Sequence, residues 1–112
     1  MQVSERNIDD ITVIDLSGHL IYEEGFEALR ETFNRLIGQG RTRLLLNMAQ
    51  VSSLDSSGVG LIACKYVTLS RHGGQLKLCN LHPRSHHVLE ITKLLTIFES
   101  FESEAAALAS FR

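Results

Sequence analysis

Tryptophan is absent from the 112 residues, proline occurs once and cysteine twice, and no apolar run approaches the roughly 20 residues needed to cross a bilayer. Each scarcity narrows the reading. Without such a run, direct membrane insertion is not expected, and Met1 to Arg6 lacks the apolar stretch of a signal peptide, so the expected location is the cytoplasm. The two cysteines, Cys64 and Cys79, lack zinc-site spacing and read as small buried hydrophobes rather than a disulfide. A formal net charge of −2 gives no electrostatic case for gripping a phosphodiester backbone, so no direct nucleic-acid partner is expected. There is no repeat, linker or low-complexity segment. What remains is a chain, 44% hydrophobic, long enough for a single core. It reads as one domain spanning residues 1–112.

Apolar residues at alternate positions, Ile8 excepted, in Val3 to Ile8 and Ile11 to Ser17, split by Asp9-Asp10, read as a β-hairpin. From Glu23 to Ile37, Phe26, Leu29, Phe33, Leu36 and Ile37 recur at helical spacing, and Gly38 and Gly40 end the pattern. Arg43 to Met48 is nearly continuously apolar, as in a strand covered on both faces at the middle of a sheet. A helix from about Ser57 to His72 places Val59, Ile62, Ala63, Tyr66 and Val67 on its apolar side and stops at Gly73-Gly74. A strand over Gln75 to Leu81 follows, then a helix beginning near Pro83 with Val88, Leu89, Ile91, Leu94 and Leu95 on its apolar face. Thr96 to Phe98 reads as a short last strand and Ser103 to Phe111 as a final helix. Strands alternating with helices after an opening hairpin predict an α/β fold: a mixed β-sheet with a parallel portion and helices packed against it.

The chemistry concentrates between the central strand and the helix after it, in Leu54-Asp55-Ser56-Ser57-Gly58-Val59-Gly60. Asp55 or Ser56 is placed to cap the helix. An exposed helix N-terminus carries unpaired N–H groups and the positive end of the dipole, so it tolerates an anion, including a phosphate carried by a serine. Three enzymatic or ligand-binding readings fail. A hydrolase elbow needs glycine two residues before the serine, where Leu54 and Asp55 stand, and no Asp or His follows in triad order. Gly58-Val59-Gly60-Leu61-Ile62-Ala63 fits the loose dinucleotide pattern, but its glycines come well after the expected strand end at Met48 and Asn80 stands where an acid should bind ribose. Close packing of the helix on the sheet explains Gly58 and Gly60 better. His82 and His86 have the spacing of a helical metal pair, yet Pro83 puts His82 in the preceding turn, so solvated side chains are expected. No catalytic residue, cofactor or metal is expected.

The strand with Asn47, the Asp55-Ser56-Ser57-Gly58 turn and the following helix resemble the STAS domain of bacterial anti-sigma factor antagonists. The likeness extends to Ile14-Asp15-Leu16-Ser17-Gly18-His19-Leu20 and Gly73-Gly74-Gln75-Leu76-Lys77-Leu78-Cys79-Asn80, so it covers nearly the whole chain. It implies a STAS-like single domain and a regulatory, non-enzymatic role. The unphosphorylated protein would bind an anti-sigma factor serine kinase and free a sigma factor; phosphorylation of Ser56, with Ser57 the alternative acceptor, would break the contact. A serine phosphatase would reverse the modification. The implied partner surface is Asn47, Asp55, Ser56, Ser57 and Gly58, although Asn47 reads equally as a polar group satisfying the turn backbone. One position departs from the pattern: Ile21 follows Gly18-His19-Leu20 where kinase substrates of the family carry Asp, with Glu23 and Glu24 nearby as substitutes. That departure supports a second expectation, a non-phosphorylated STAS accessory or ligand-binding module of a transport or stress-sensing complex.

Overall fold

The computed structural model describes residues 1–111. Two strands open the chain, β1 (Gln2–Ile8) and β2 (Ile11–Leu20), joined in a regular antiparallel hairpin that pairs Ile8 with Ile11 and Gln2 with Ser17. The two-residue turn between them needs a left-handed residue, and Asp9 takes φ 57°. There follow α1 (Phe26–Gly38), β3 (Arg43–Leu54), α2 (Ser56–Arg71), β4 (Gln75–Cys79), α3 (Pro83–Ile91), a 3-10 turn at Leu94–Thr96, β5 (Glu99–Phe101) and α4 (Glu104–Ser110). In the sheet the strands lie in the order of the sequence, β1 to β5, and every pairing after the hairpin is parallel.

Successive residues of β3 face opposite sides of the sheet, which sorts the core into two layers. Leu44, Leu46 and Met48 join Ile14, Leu16, Leu76 and Leu78 against Leu29, Phe33 and Leu36 of α1, Val59, Ile62 and Leu69 of α2, and Leu89 of α3. Leu45 instead joins Ile11, Val13 and Cys79 against Ala107 and Phe111 of the α4 segment. The amphipathic stripe of α1 and the twice-covered β3 are as the sequence predicts.

Several elements differ from the sequence reading. β4 stops at Cys79 rather than Leu81, and α3 ends at Ile91, which is 63% exposed, so Leu94 reaches the core from the 3-10 turn and not from the apolar face of that helix. β3 does not stop at Met48 but runs to Leu54, because it gives an extra residue to its pairing with β2 twice: Asp15 pairs with Asn47 and Ser17 with Gln50, then Gly18 with Val51 and His19 with Ser53. These irregularities break the apolar alternation that marks a strand. The last strand is Glu99–Phe101, not Thr96 to Phe98; Phe98 is spent on the core, edge-on to Tyr66 with ring centroids 5.5 Å apart. On α2, Val67 is exposed and Leu69 is buried in its place, while Cys64 is exposed rather than buried; Cys79 is buried as expected.

Candidate functional site

The first turn of α2 is held by a carboxylate. Asp55 is the N-cap, its Oδ1 accepting from Gly58 N at 3.0 Å, while its Oδ2 accepts from Tyr22 N at 3.1 Å. Asp55 N donates in turn to Leu20 O at 3.3 Å. One side chain therefore joins α2 to the loop after β2. That loop is a closed turn: Ile21 N donates to Glu24 O (2.9 Å) and Glu24 N to Ile21 O (3.1 Å). Gly25 then takes φ 86°, and a Cβ there would lie 2.5 Å from His19 O, so the turn requires glycine. Helix α1 consequently starts at Phe26 rather than at Glu23.

With Asp55 doing the capping, the neighbouring hydroxyls are spare. Ser56 is exposed at the first position of α2 and its hydroxyl has no hydrogen-bond partner among the described residues; Ser57, next to it, is half-buried. Gly58 is buried against the sheet, as the sequence predicts: a Cβ would approach Leu20 O to 2.7 Å and Leu54 Cδ1 to 2.8 Å. Gly60, expected to pack on the sheet in the same way, does not: it is exposed, because its position falls on the side of α2 turned from the sheet. Beside Ser56 a groove of about 420 Å³ opens between α1 and α2, floored by Gly60 and Leu61 and walled by Tyr22, Phe26 and Cys64. Tyr22 is 69% exposed and meets Phe26 with the rings tilted, their centroids 5.8 Å apart. A large exposed aromatic next to an apolar groove is the kind of feature that marks a protein contact.

A sequence model of the STAS domain matches residues 2–107. The chain belongs to the STAS domain family. It is 32% identical over 96 residues to the anti-sigma-B factor antagonist of Bacillus subtilis, covering 85% of this chain and 84% of that protein. To the anti-sigma F factor antagonist of Paenibacillus polymyxa it is 24% identical over 109 residues, 96% of this chain and 92% of that one. The structure of the Bacillus cell fate determinant SpoIIAA in its phosphorylated form superposes with a TM-score of 0.78 at 26% identity, covering 99% of this chain and all of that one. The fold of this STAS domain is thus the one the sequence resemblance implies.

The structure gathers Asp55, Ser56, Ser57 and Gly58 in one turn, and leaves Asn47 out of it. Asn47 lies in β3, eight residues before Asp55, and the facing β2 covers the stretch from Asn47 to Leu54 in the five steps from Asp15 to Leu20, roughly 17 Å; its side chain is on the opposite face from α2. There Nδ2 donates to Asp15 Oδ1 at 2.8 Å, and Oδ1 accepts from Asn80 Nδ2 at 3.1 Å and Ala49 N at 3.2 Å. Its contacts are those of a group satisfying local backbone and polar neighbours. Arg6 clamps the other side of Asp15, its Nε donating to Oδ2 at 2.6 Å, and reaches Glu104 of α4. The Arg6 guanidinium holds the Asp15 carboxyl below its ordinary range, with the Asn47 bond adding to the effect.

The other singled-out residues are dispersed. His82 caps α3, its Nδ1 accepting from Arg84 N at 3.2 Å, and His86 and His87 are exposed. No group of three or more metal-ligating side chains occurs among the described residues. Because β3 ends at Leu54, the distance from strand end to Gly58 no longer argues against the dinucleotide pattern; the occupation of the acid position by Asn80 still does. No helix among the described residues is long and apolar enough to cross a membrane. Sequence reading missed Tyr22, Phe26 and Cys64 as site residues. The available signal was an aromatic, Tyr22, beside Glu23-Glu24-Gly25, a polar stretch ending in glycine.

Proposed function

We propose that this STAS domain is an anti-sigma factor antagonist that binds an anti-sigma factor serine kinase through the Ser56 turn and the α1/α2 groove, freeing a sigma factor in the cytoplasm. The kinase brings the ATP and phosphorylates Ser56, which ends the contact; a serine phosphatase restores it. The role is that of a regulatory binding protein, in keeping with relatives named as anti-sigma factor antagonists. The observation that carries the reading is the spare hydroxyl of Ser56, exposed at the start of α2 and beside the groove while Asp55 supplies the cap. The relatives named anti-sigma factor antagonists, and the phosphorylated form in which SpoIIAA was solved, support it.

The energetics favour a switch over unfolding. A phosphoserine adds about −1.5 to −2 charge, and a helix N-terminus favours one negative charge by roughly 0.3–1 kcal/mol, offset in part by the adjacent Asp55 carboxylate. The fold should hardly respond. A partner covering the turn would have to desolvate the phosphate, at about 2–5 kcal/mol, or roughly 30-fold to several thousand-fold in affinity. Incubation with anti-sigma factor kinases of the source genome and ATP, phosphosite mapping, and titration of kinase with wild type, Ser56→Asp and phosphoprotein test this. Phosphate on Ser56 and lost binding are expected. Equal affinity for all three, or phosphate only on Ser57 or elsewhere, would remove Ser56 from the mechanism.

Ile21 is half-buried in the closed turn and carries no charge. That observation favours the second reading, an accessory module without phosphorylation. Ile21→Asp discriminates: a higher rate of Ser56 phosphorylation means that the charge serves recognition, and no phosphorylation of either protein by any of the kinases supports the accessory role.

A further inference from the structure

Gly58 and Gly60 stand two residues apart in α2 with opposite surroundings. The first is required by the fold, since its Cβ would strike Leu20 O and Leu54; a Cβ on the second would meet nothing within 4 Å. Gly60 is not among the residues of positive φ, so its backbone is open to any L-residue. A glycine inside a helix costs stability relative to alanine. No contact among the described residues depends on the missing side chain, and Gly60 is exposed at the floor of the α1/α2 groove.

The groove has a charge as well as a shape. Arg30 and Lys65 line it and no carboxylate does. Arg30 is answered by Glu27 at 2.8 Å, whereas Lys65 Nζ donates to the neutral Oδ1 of Asn34 at 2.6 Å, which leaves the lysine charge uncancelled. A visiting group is therefore met by an apolar floor and, at the wall, by one cation in want of an anion.

We infer that the groove receives an apolar side chain flanked by a carboxylate on the anti-sigma factor partner, and that Gly60 lacks a side chain so that this segment can rest on the backbone of α2. The inference builds on the docking function proposed above and extends it to the chemistry of the partner. It also gives the phosphate a target: at the mouth of the groove, a phosphorylated Ser56 faces the same carboxylate and repels it.

The test uses full-length wild type, Gly60→Ala and Lys65→Gln, with thermal melts and titrations against a panel of purified anti-sigma factor kinases from the source genome. Gly60→Ala should melt at or above wild type and bind about tenfold or more weakly, as expected of an overfilled contact. Lys65→Gln should bind about 3- to 10-fold more weakly at low salt, with the difference vanishing at high salt. Wild type that binds a kinase with Gly60→Ala equally tight overturns the inference and leaves the docking function standing. A Gly60→Ala melt below wild type overturns the premise that the fold has no use for the glycine. Equal binding by Lys65→Gln overturns the acidic flank, and wild type that binds no kinase overturns the docking function and this inference together.

Discussion

On one face of the sheet Ile14, Leu16, Leu44, Leu46, Leu76 and Leu78 meet α1, α2 and α3 in a continuous apolar layer; on the other, the smaller cluster under α4 takes Ile11, Val13, Leu45 and Cys79 with Ile8 and Phe101 at its margin, and the next row is left to Asp15, Asn47 and Asn80. The same strands thus present two kinds of cohesion. The helical face is held by burial. The α4 face is fastened largely by cations: Arg6 to Glu104, Lys77 Nζ to Ser110 O at 3.0 Å, and Arg43 to Phe111 O. Lys77 is itself 3% exposed, and its Nζ sits over the Phe111 ring, 4.7 Å from the centroid, so the cation is held by an aromatic face as well as by Ser110. Ser56 lies at the margin of the helical face, on a turn fixed by deep packing, so a charge can arrive there without disturbing what holds the domain together.

The strongest way to sharpen the contrast is Phe33→Ala. Phe33 is fully buried in the helical layer, so its truncation should cost about 3–5 kcal/mol, read as a lower urea midpoint. Gly58→Ala follows, because its new Cβ meets a backbone carbonyl that cannot step aside; about 1–3 kcal/mol is expected, with calorimetry as the measure. Acid should probe the other face. The carboxyl of Asp15 titrates below its unfolded value near 3.9, so its contribution is complete above that pH and disappears as pH falls through the lower, folded value. The loss should be about 1 kcal/mol or less, and Asp15→Asn should flatten that part of a pH–stability curve. Asp10, tied to Arg43, titrates low for the same reason and will share the acid limb. Smallest of all is Ser56→Ala, within about 0.5 kcal/mol in a thermal melt, since Asp55 and not Ser56 supplies the cap. A larger fall would mean that the hydroxyl is not spare.

Periodicity sufficed for most of the architecture. The hairpin, α1, the first half of β3 and α2 are visible in spacing alone because each buries one continuous stripe or a fully apolar run. The second half of β3 was hidden by its bulges, which set exposed Ala49 and Gln50 side by side where a strand would alternate. β5 was misplaced by three residues because an edge strand of Glu99, Ser100 and Phe101 carries no apolar pattern, while the adjacent Ile97 and Phe98 imitate one. At the site, the capping turn was legible from local residue types. The groove was not, since Tyr22 and Phe26 meet Gly60 only through packing between two helices. The role of Asn47 was also undecidable in one dimension; it depends on which face of β3 the side chain leaves.

The strand order bears on synthesis. Because each strand lies beside its neighbour in sequence, the sheet can grow by one strand at a time as the chain leaves the ribosome, with no later segment needed to fill a gap. Helices α1 to α3 close their face as they emerge. The other face must wait for Glu104–Ser110, and until then Ile11, Val13 and Leu45 form a bare apolar strip on a nascent chain whose opposite side is already finished. Premature termination before α4 would accordingly release a molecule with a complete Ser56 turn and an adhesive back, one suited to capture by chaperones or to self-association.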